Sequence, residues 1–181
     1  AEWQQTGVIR HIGVSNYAAW QVMKAQSVAQ SFGTKIDVIQ PMYNLVKRQA
    51  EVEIIPMAVD QGIAIVPYSP LGGGLLTGKY ATGERGRLTE NPMYTARYDV
   101  SWMRDCAAAL AKLAADWGQH PATLAVAWAA HHPAGPSPII SARSAAQLEP
   151  SLKAANVELS AQQYAEITAL SQTPAPATDR L

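Results

Sequence analysis

Four short apolar runs, at residues 8–14, 36–40, 63–67 and 138–142, divide the chain, and longer stretches with helical spacing lie between them. Most of these runs are too apolar for a strand with one wet face, so they predict a parallel sheet buried on both faces. Residues 18–32 carry Trp20, Met23 and Val28 near helical spacing. Residues 49–61 place Val52, Ile54, Ile55 and Val59 between Arg48 and Gly62. The first two strand-to-strand steps are about 27 residues each, the size of successive βα units.

The third step is longer. Residues 82–98 are rich in Gly, Arg, Thr, Asn and Pro and predict a loop, which at that length is functional or mobile. Helices follow over 101–117 and from Pro121 to His131 or His132, with Pro121 suited to a first turn. A further helix is expected over 145–155, and Ser160-Ala161-Gln162-Gln163 reads as a capping box ahead of 164–170. Residues 173–177 are expected to be extended or disordered. Glu2 to Gly7 read as the tail of a helix entering a strand, so the chain is expected to start in mid-architecture. No internal boundary divides 1–181.

Composition narrows the functional classes. Lys plus Arg and Asp plus Glu number 14 each, so the formal net charge is zero and neither nucleic acid nor an anionic membrane is an expected partner. Apolar stretches fall well short of the ~20 residues of a membrane span, and no basic-then-apolar leader opens the chain. A soluble, cytoplasmic protein is expected. Cys106 is the single cysteine, which excludes an internal disulfide, and its alanine neighbours predict a buried helical thiol. His131 and His132 are adjacent and point apart on a helix. Neither they nor His11 and His120 have a partner at metal-ligand spacing.

Candidate chemistry sits at the C-terminal ends of the runs, where parallel α/β proteins bind ligands. Ser15-Asn16 follows the first run and offers a hydroxyl and an amide, though the pair taken alone reads first as an ordinary helix cap. Gln40 ends the second run with an amide that needs partners from backbone or ligand. Tyr68 follows the third run and leads into Ser69-Pro70-Leu71-Gly72-Gly73-Gly74, whose glycines permit positive φ and close approach. This is neither a Rossmann fingerprint nor a P-loop, and Gly13-Val14-Ser15-Asn16-Tyr17 is no nucleophile elbow. After the fourth run, Ser141-Ala142-Arg143-Ser144 and Gln147 put an Arg beside a helix N-terminus, a pairing that suits phosphate.

Ile9-Arg10-His11-Ile12-Gly13-Val14-Ser15-Asn16, Asp37-Val38-Ile39-Gln40-Pro41-Met42-Tyr43-Asn44-Leu45 and the stretch from Tyr68 to Tyr80 together resemble the aldo-keto reductases. These are NAD(P)H-dependent (β/α)8 TIM-barrel oxidoreductases that reduce aldehydes and ketones. The resemblance covers nearly the whole chain but only the second half of that barrel. It implies that NADP(H), or less readily NAD(H), is the cofactor and that a small carbonyl compound is the substrate. The missing N-terminal half of the barrel is then a partner.

By the same resemblance Ser15, Asn16 and Gln40 hold the nicotinamide carboxamide and Tyr68 stacks on its ring. Ser69, Pro70, Leu71, Gly72 and Gly74 wrap the pyrophosphate, and Lys79 and Arg87 reach the phosphates or adenosine. Ser141, Arg143, Gln147 and Ser151 take the adenosine end, with Arg143 on the 2′-phosphate. The sequence departs from the family at Ser141, where glycine is usual, and at Pro150-Ser151, which replaces an acidic residue and an adenine-contacting asparagine. The family's proton-donating Tyr, with its Lys, Asp and His, belongs to the first half of the barrel, so no catalytic residue maps onto this chain. A non-catalytic cofactor module, a relative of potassium-channel β subunits and an inactive fragment remain alternatives.

Overall fold

The computed structural model describes residues 1–179, so the last two residues of the expected domain lie outside the described residues. Three parallel strands, β1 (Gly13–Ser15), β2 (Val38–Gln40) and β3 (Ala64–Ile65), form an open sheet in the order β1-β2-β3. Ser15 lies opposite Gln40, and Ile39 opposite Ile65. Pairing continues past β3, where the Tyr68 amide donates to the Pro41 carbonyl at 2.9 Å and the Tyr43 amide to the Tyr68 carbonyl at 3.3 Å. That register carries the chain directly from strand ends into the candidate site.

Helices α1 (Glu2–Gln5), α2 (Ala19–Ser31) and α3 (Ile54–Asp60) accompany the strands, followed by α4 (Arg87–Glu90), α5 (Pro92–Tyr98), α6 (Ser101–Asp116), α7 (Pro121–Ala130), α8 (Ala145–Lys153) and α9 (Ala161–Ala169). Helix α7 is buried from Ala122 to Ala129, as expected of a helix apolar on every side. Trp128 anchors the core: Tyr43 stacks on it at 5.1 Å, Tyr164 at 5.9 Å, and its indole nitrogen donates to Thr168 Oγ1 at 2.8 Å. Arg48 forms a two-pronged pair with Glu51, which also accepts from the Tyr43 hydroxyl at 2.7 Å. These contacts fix the loop after β2.

Several expectations are corrected. Most of the first run is not strand, because Val8 and Ile9 donate back to the Trp3 carbonyl and close the turn after α1. The sheet is not buried on both faces: Val14, Ile39 and Ile65 turn toward the helices, while Gly13, Ser15 and Ala64 are exposed on the other side. Residues 49–61 divide into a 3-10 turn, Gln49–Glu51, and α3. Pro56 explains the break, since in α3 its missing N–H falls in the first turn, whereas one continuous helix would place it in the interior.

The fourth run is not a ladder strand. Ser137 and Ile139 donate to the Ile65 and Pro67 carbonyls at 2.9 and 2.8 Å, but Pro136 and Pro138 supply no donors for a second neighbour. Residues 82–98 are not simply loop, for they contain α4 and α5. Asn91 caps α5 by accepting from the Met93 amide at 3.0 Å, with Pro92 in its first turn. The capping box before α9 forms as expected, with the Gln163 amide donating to Ser160 Oγ at 3.2 Å and the Ser160 amide to Gln163 Oε1 at 3.0 Å. Residues 172–176 carry no regular structure.

Candidate functional site

The parallel register places Ser15 and Gln40 side by side on the open face, and hydrogen bonds extend the group to Asn16 and Tyr68. Ser15 Oγ donates to the Gln40 carbonyl at 3.0 Å, Asn16 Nδ2 to Ser15 Oγ at 3.1 Å, and the Tyr68 hydroxyl to Asn16 Oδ1 at 2.7 Å. Asn16 reaches this position with φ of 59°, a left-handed conformation that Asn tolerates better than most residues. Neither Ser15 nor Asn16 caps α2. The helix starts at Ala19, and Gln21 Oε1 accepts from the Ala18 amide at 2.8 Å. Three strand ends thus present hydroxyl, amide and aromatic groups together, a set able to pair with a planar carboxamide.

Beyond Tyr68 the chain turns sharply. Ser69 has φ of 58°, and Gly72, Gly73 and Gly74 have φ of 56°, 67° and 96°, so the glycines carry a left-handed turn that side chains would strain. The glycines also admit the chain's own side chains. A Cβ on Gly73 would lie 2.8 Å from Tyr94 Cδ1, and one on Gly74 3.1 Å from Lys79 Cε. Residues 79–98 therefore fold back over the turn, pinned by the Tyr80 hydroxyl, which donates to the Gly73 carbonyl at 3.2 Å and accepts from the Leu88 amide at 3.2 Å. Pro70 and Gly72 are buried, and Ser69, Leu71 and Gly74 partly so.

Charged candidates reach the same region through contacts. Lys79 Nζ lies 2.6 Å from where a Gly86 Cβ would stand and 5.0 Å from the Tyr80 ring centre. Arg87 follows Gly86 and sits 5.5 Å over the Tyr94 ring. Arg143, largely exposed, faces Glu90 of α4 at 3.6 Å. Ser144 caps α8 by accepting from the Gln147 amide at 3.3 Å, and Gln147 Oε1 accepts from the Arg143 amide at 3.4 Å. Ser141 is exposed beside them. Ser151 stands apart: it is 2 % exposed, its hydroxyl has no partner among the described residues, and it does not share the accessible face of the other candidates.

Two buried groups escaped the sequence reading. Asn44 and Tyr98 meet beneath the turn, where Asn44 Nδ2 donates to the Ser69 carbonyl at 2.9 Å and to the Tyr98 hydroxyl at 3.4 Å. The signal available was a polar Asn set among Met42, Tyr43, Leu45 and Val46. Cys106 is buried in α6, and burial pushes its thiol pKa up to about 11. Among the described residues no cluster of three or more His, Cys, Asp or Glu could hold a metal, and no helix is long and apolar enough to cross a membrane.

An open parallel sheet of three strands with helices alongside makes this an α/β protein, and its strand ends carry amide, hydroxyl and aromatic groups beside a glycine-rich turn. Residues 1–172 match the family model described as the aldo/keto reductase family, and the chain belongs to that family of oxidoreductases. It is 34% identical over 182 residues to Protein tas of Escherichia coli, an alignment covering 97% of this chain and 53% of that protein. It is also 34% identical over 159 residues to the uncharacterized oxidoreductase YrpG of Bacillus subtilis, covering 86% and 47% respectively. Over 77 residues it is 42% identical to aflatoxin B1 aldehyde reductase member 2 of Rattus norvegicus, covering 42% of this chain and 21% of that protein. The chain spans about half the length of the first two relatives.

Proposed function

We infer that this chain is the cofactor-binding half of an NADP(H)-dependent carbonyl reductase, the second half of a (β/α)8 barrel whose first half carries the proton-transfer residues. One observation carries the reading: Ser15, Asn16, Gln40 and Tyr68 converge from three adjacent parallel strand ends and are joined by hydrogen bonds. The donor set fits the cofactor. Ser15, Asn16 and Gln40 together offer donors and acceptors to a carboxamide, and Tyr68, half-buried, offers a ring face to the nicotinamide. Lys79 and Arg87 would meet the phosphates, Arg143 the 2′-phosphate and Gln147 the adenine. Buried Ser151 would leave the adenine edge less well held than asparagine does in the family.

When bound, the cofactor supplies a hydride. The chain's own part is to fix which face of the nicotinamide looks into the barrel, through Tyr68 behind the ring and the amides at its carboxamide. The proton would come from the preceding half. Two features favour such a partner: among the described residues β1 pairs only with β2, and α2 exposes Trp20 and Val28 in a groove that also includes Ile12, Ala25 and Ile36. An aldehyde as substrate draws on the rat relative's name. One experiment tests the function: NADPH absorbance is followed with a reactive aromatic aldehyde, using the 181-residue chain beside the same chain preceded by the first barrel half. Turnover only by the barrel-length protein is expected. Comparable turnover by the short chain would refute the division of labour, and NADPH binding without turnover by the barrel-length protein would instead identify a non-catalytic cofactor module.

A further inference from the structure

Asn44 is wholly buried, and each polar atom of its side chain is used: Nδ2 donates to the Ser69 carbonyl and the Tyr98 hydroxyl, and Oδ1 accepts from the Val46 amide at 3.1 Å. Its backbone is fixed as well. The Lys47 amide donates to the Asn44 carbonyl at 2.9 Å and the Asn44 amide to the Lys47 carbonyl at 3.2 Å. The side chain thus joins three segments that are far apart in sequence: the loop after β2, the start of the glycine-rich turn, and α5 of the folded-back segment.

Ser69 is the strained member. It holds φ of 58° without being glycine, and its carbonyl accepts from both Asn44 Nδ2 and the Gly72 amide, the latter at 3.0 Å. A left-handed non-glycine residue is strained and persists where its surroundings over-determine it. Tyr98 is also wholly buried, its hydroxyl donates to Met42 Sδ at 3.5 Å, and its ring lies 3.4 Å from where a Gly72 Cβ would stand. The same amide therefore touches the turn at its entry and the tyrosine that packs beneath it.

We propose that Asn44 is the positioning residue of the glycine-rich turn, holding Ser69 in its left-handed conformation, and that the Tyr98 hydroxyl makes the turn's shape depend on residues 79–98 being folded over it. Its consequence for NADPH rests on the reading of this turn as a cofactor cradle; the clamp itself does not.

Hydrogen exchange without cofactor tests the clamp in Asn44→Ala and Tyr98→Phe, and Tyr98→Phe, which keeps the ring against Gly72, decides the matter if Asn44→Ala does not fold. Amides of 69–78 and 87–98 should exchange roughly tenfold faster in Asn44→Ala and less than that in Tyr98→Phe, with α2 and α7 unchanged. Unchanged exchange in both segments, or equal acceleration in α2 and α7, would overturn the clamp. NADPH titration of the barrel-length protein then separates the two readings. Asn44→Ala should bind about tenfold more weakly, with kcat and the carbonyl substrate's KM retained. A wild-type protein that binds no NADPH would remove the cradle while the exchange result still judged the clamp. Wild-type affinity in Asn44→Ala would remove Asn44 from positioning the cofactor.

Discussion

Gly73→Ala measures how tightly residues 79–98 are packed on the glycine-rich turn. Gly73 has φ of 67°, so any Cβ there carries the left-handed penalty of about 1–2 kcal/mol. The new methyl would also stand 2.8 Å from Tyr94 Cδ1, 3.0 Å from Leu88 Cδ1 and 3.3 Å from Tyr94 Cε1, so both side chains must shift. Overpacking of this kind adds roughly 1–3 kcal/mol. Gly83 supplies the control, because its φ is 80° but nothing lies within 4 Å of its Cβ position, so Gly83→Ala should cost the backbone penalty alone. Urea unfolding followed by tryptophan fluorescence should show Gly73→Ala less stable than Gly83→Ala by about 1–3 kcal/mol. Adding Tyr94→Ala should recover part of that difference, a coupling that a double-mutant cycle reads. Equal losses at Gly73 and Gly83 would refute the packing of α4 and α5 on the turn.

Tyr68→Ala should weaken NADPH binding by about 1 kcal/mol or more, and Tyr68→Phe by less, since it loses only the hydroxyl's bond to Asn16; titration of the barrel-length protein reads both, and unchanged affinity in Tyr68→Ala would exclude stacking. Arg143→Ala should cost NADPH about 1.5–3 kcal/mol and NADH little, whereas equal losses would move Arg143 off the 2′-phosphate. His120 caps α7 by accepting from the Ala122 amide, which requires an unprotonated Nδ1, and burial, then the charge of Lys153, holds its pKa below the ordinary value. The unfolded chain takes up that proton below about pH 6.5 while the folded chain resists it, so stability is full above that pH and falls as pH drops through it. Thermal melts between about pH 8 and pH 5 should show a shallower fall for His120→Asn, which caps without titrating; an identical fall would exclude His120 as its source.

Much of the strand and helix order was legible because its signals are local. Alternating apolar runs and helices marked the βα units, Pro121 and Ser160 marked helix starts, and Cys106 is the buried helical thiol that its alanine neighbours predict. Misreadings arose where one residue serves two purposes. Pro138 opens an apolar run and Pro136 stands two residues before it, and both lack the donors of a ladder, while Pro56 turns one expected helix into two pieces. Asn91-Pro92 is a cap followed by a first-turn proline, a helix start hidden within a segment whose composition reads as loop. The glycines of the turn suggested room for a ligand, but the residues that crowd Gly72 and Gly73 are Tyr98, Tyr94 and Leu88, some 15 to 26 positions away in sequence. Which side chains fill such a space depends on tertiary folding. For the same reason Ser151 stands where the family has an adenine-contacting asparagine, while its own side chain lies buried.

A structure of the barrel-length protein with NADP bound decides whether these strand ends hold the cofactor. The nicotinamide carboxamide should lie within hydrogen-bond distance of Ser15, Asn16 and Gln40, its ring against Tyr68, the pyrophosphate at the turn from Ser69 to Gly74, and the 2′-phosphate at Arg143 with the Glu90 contact released. A cofactor seated elsewhere, or carboxamide contacts that bypass all three strand ends, would contradict it.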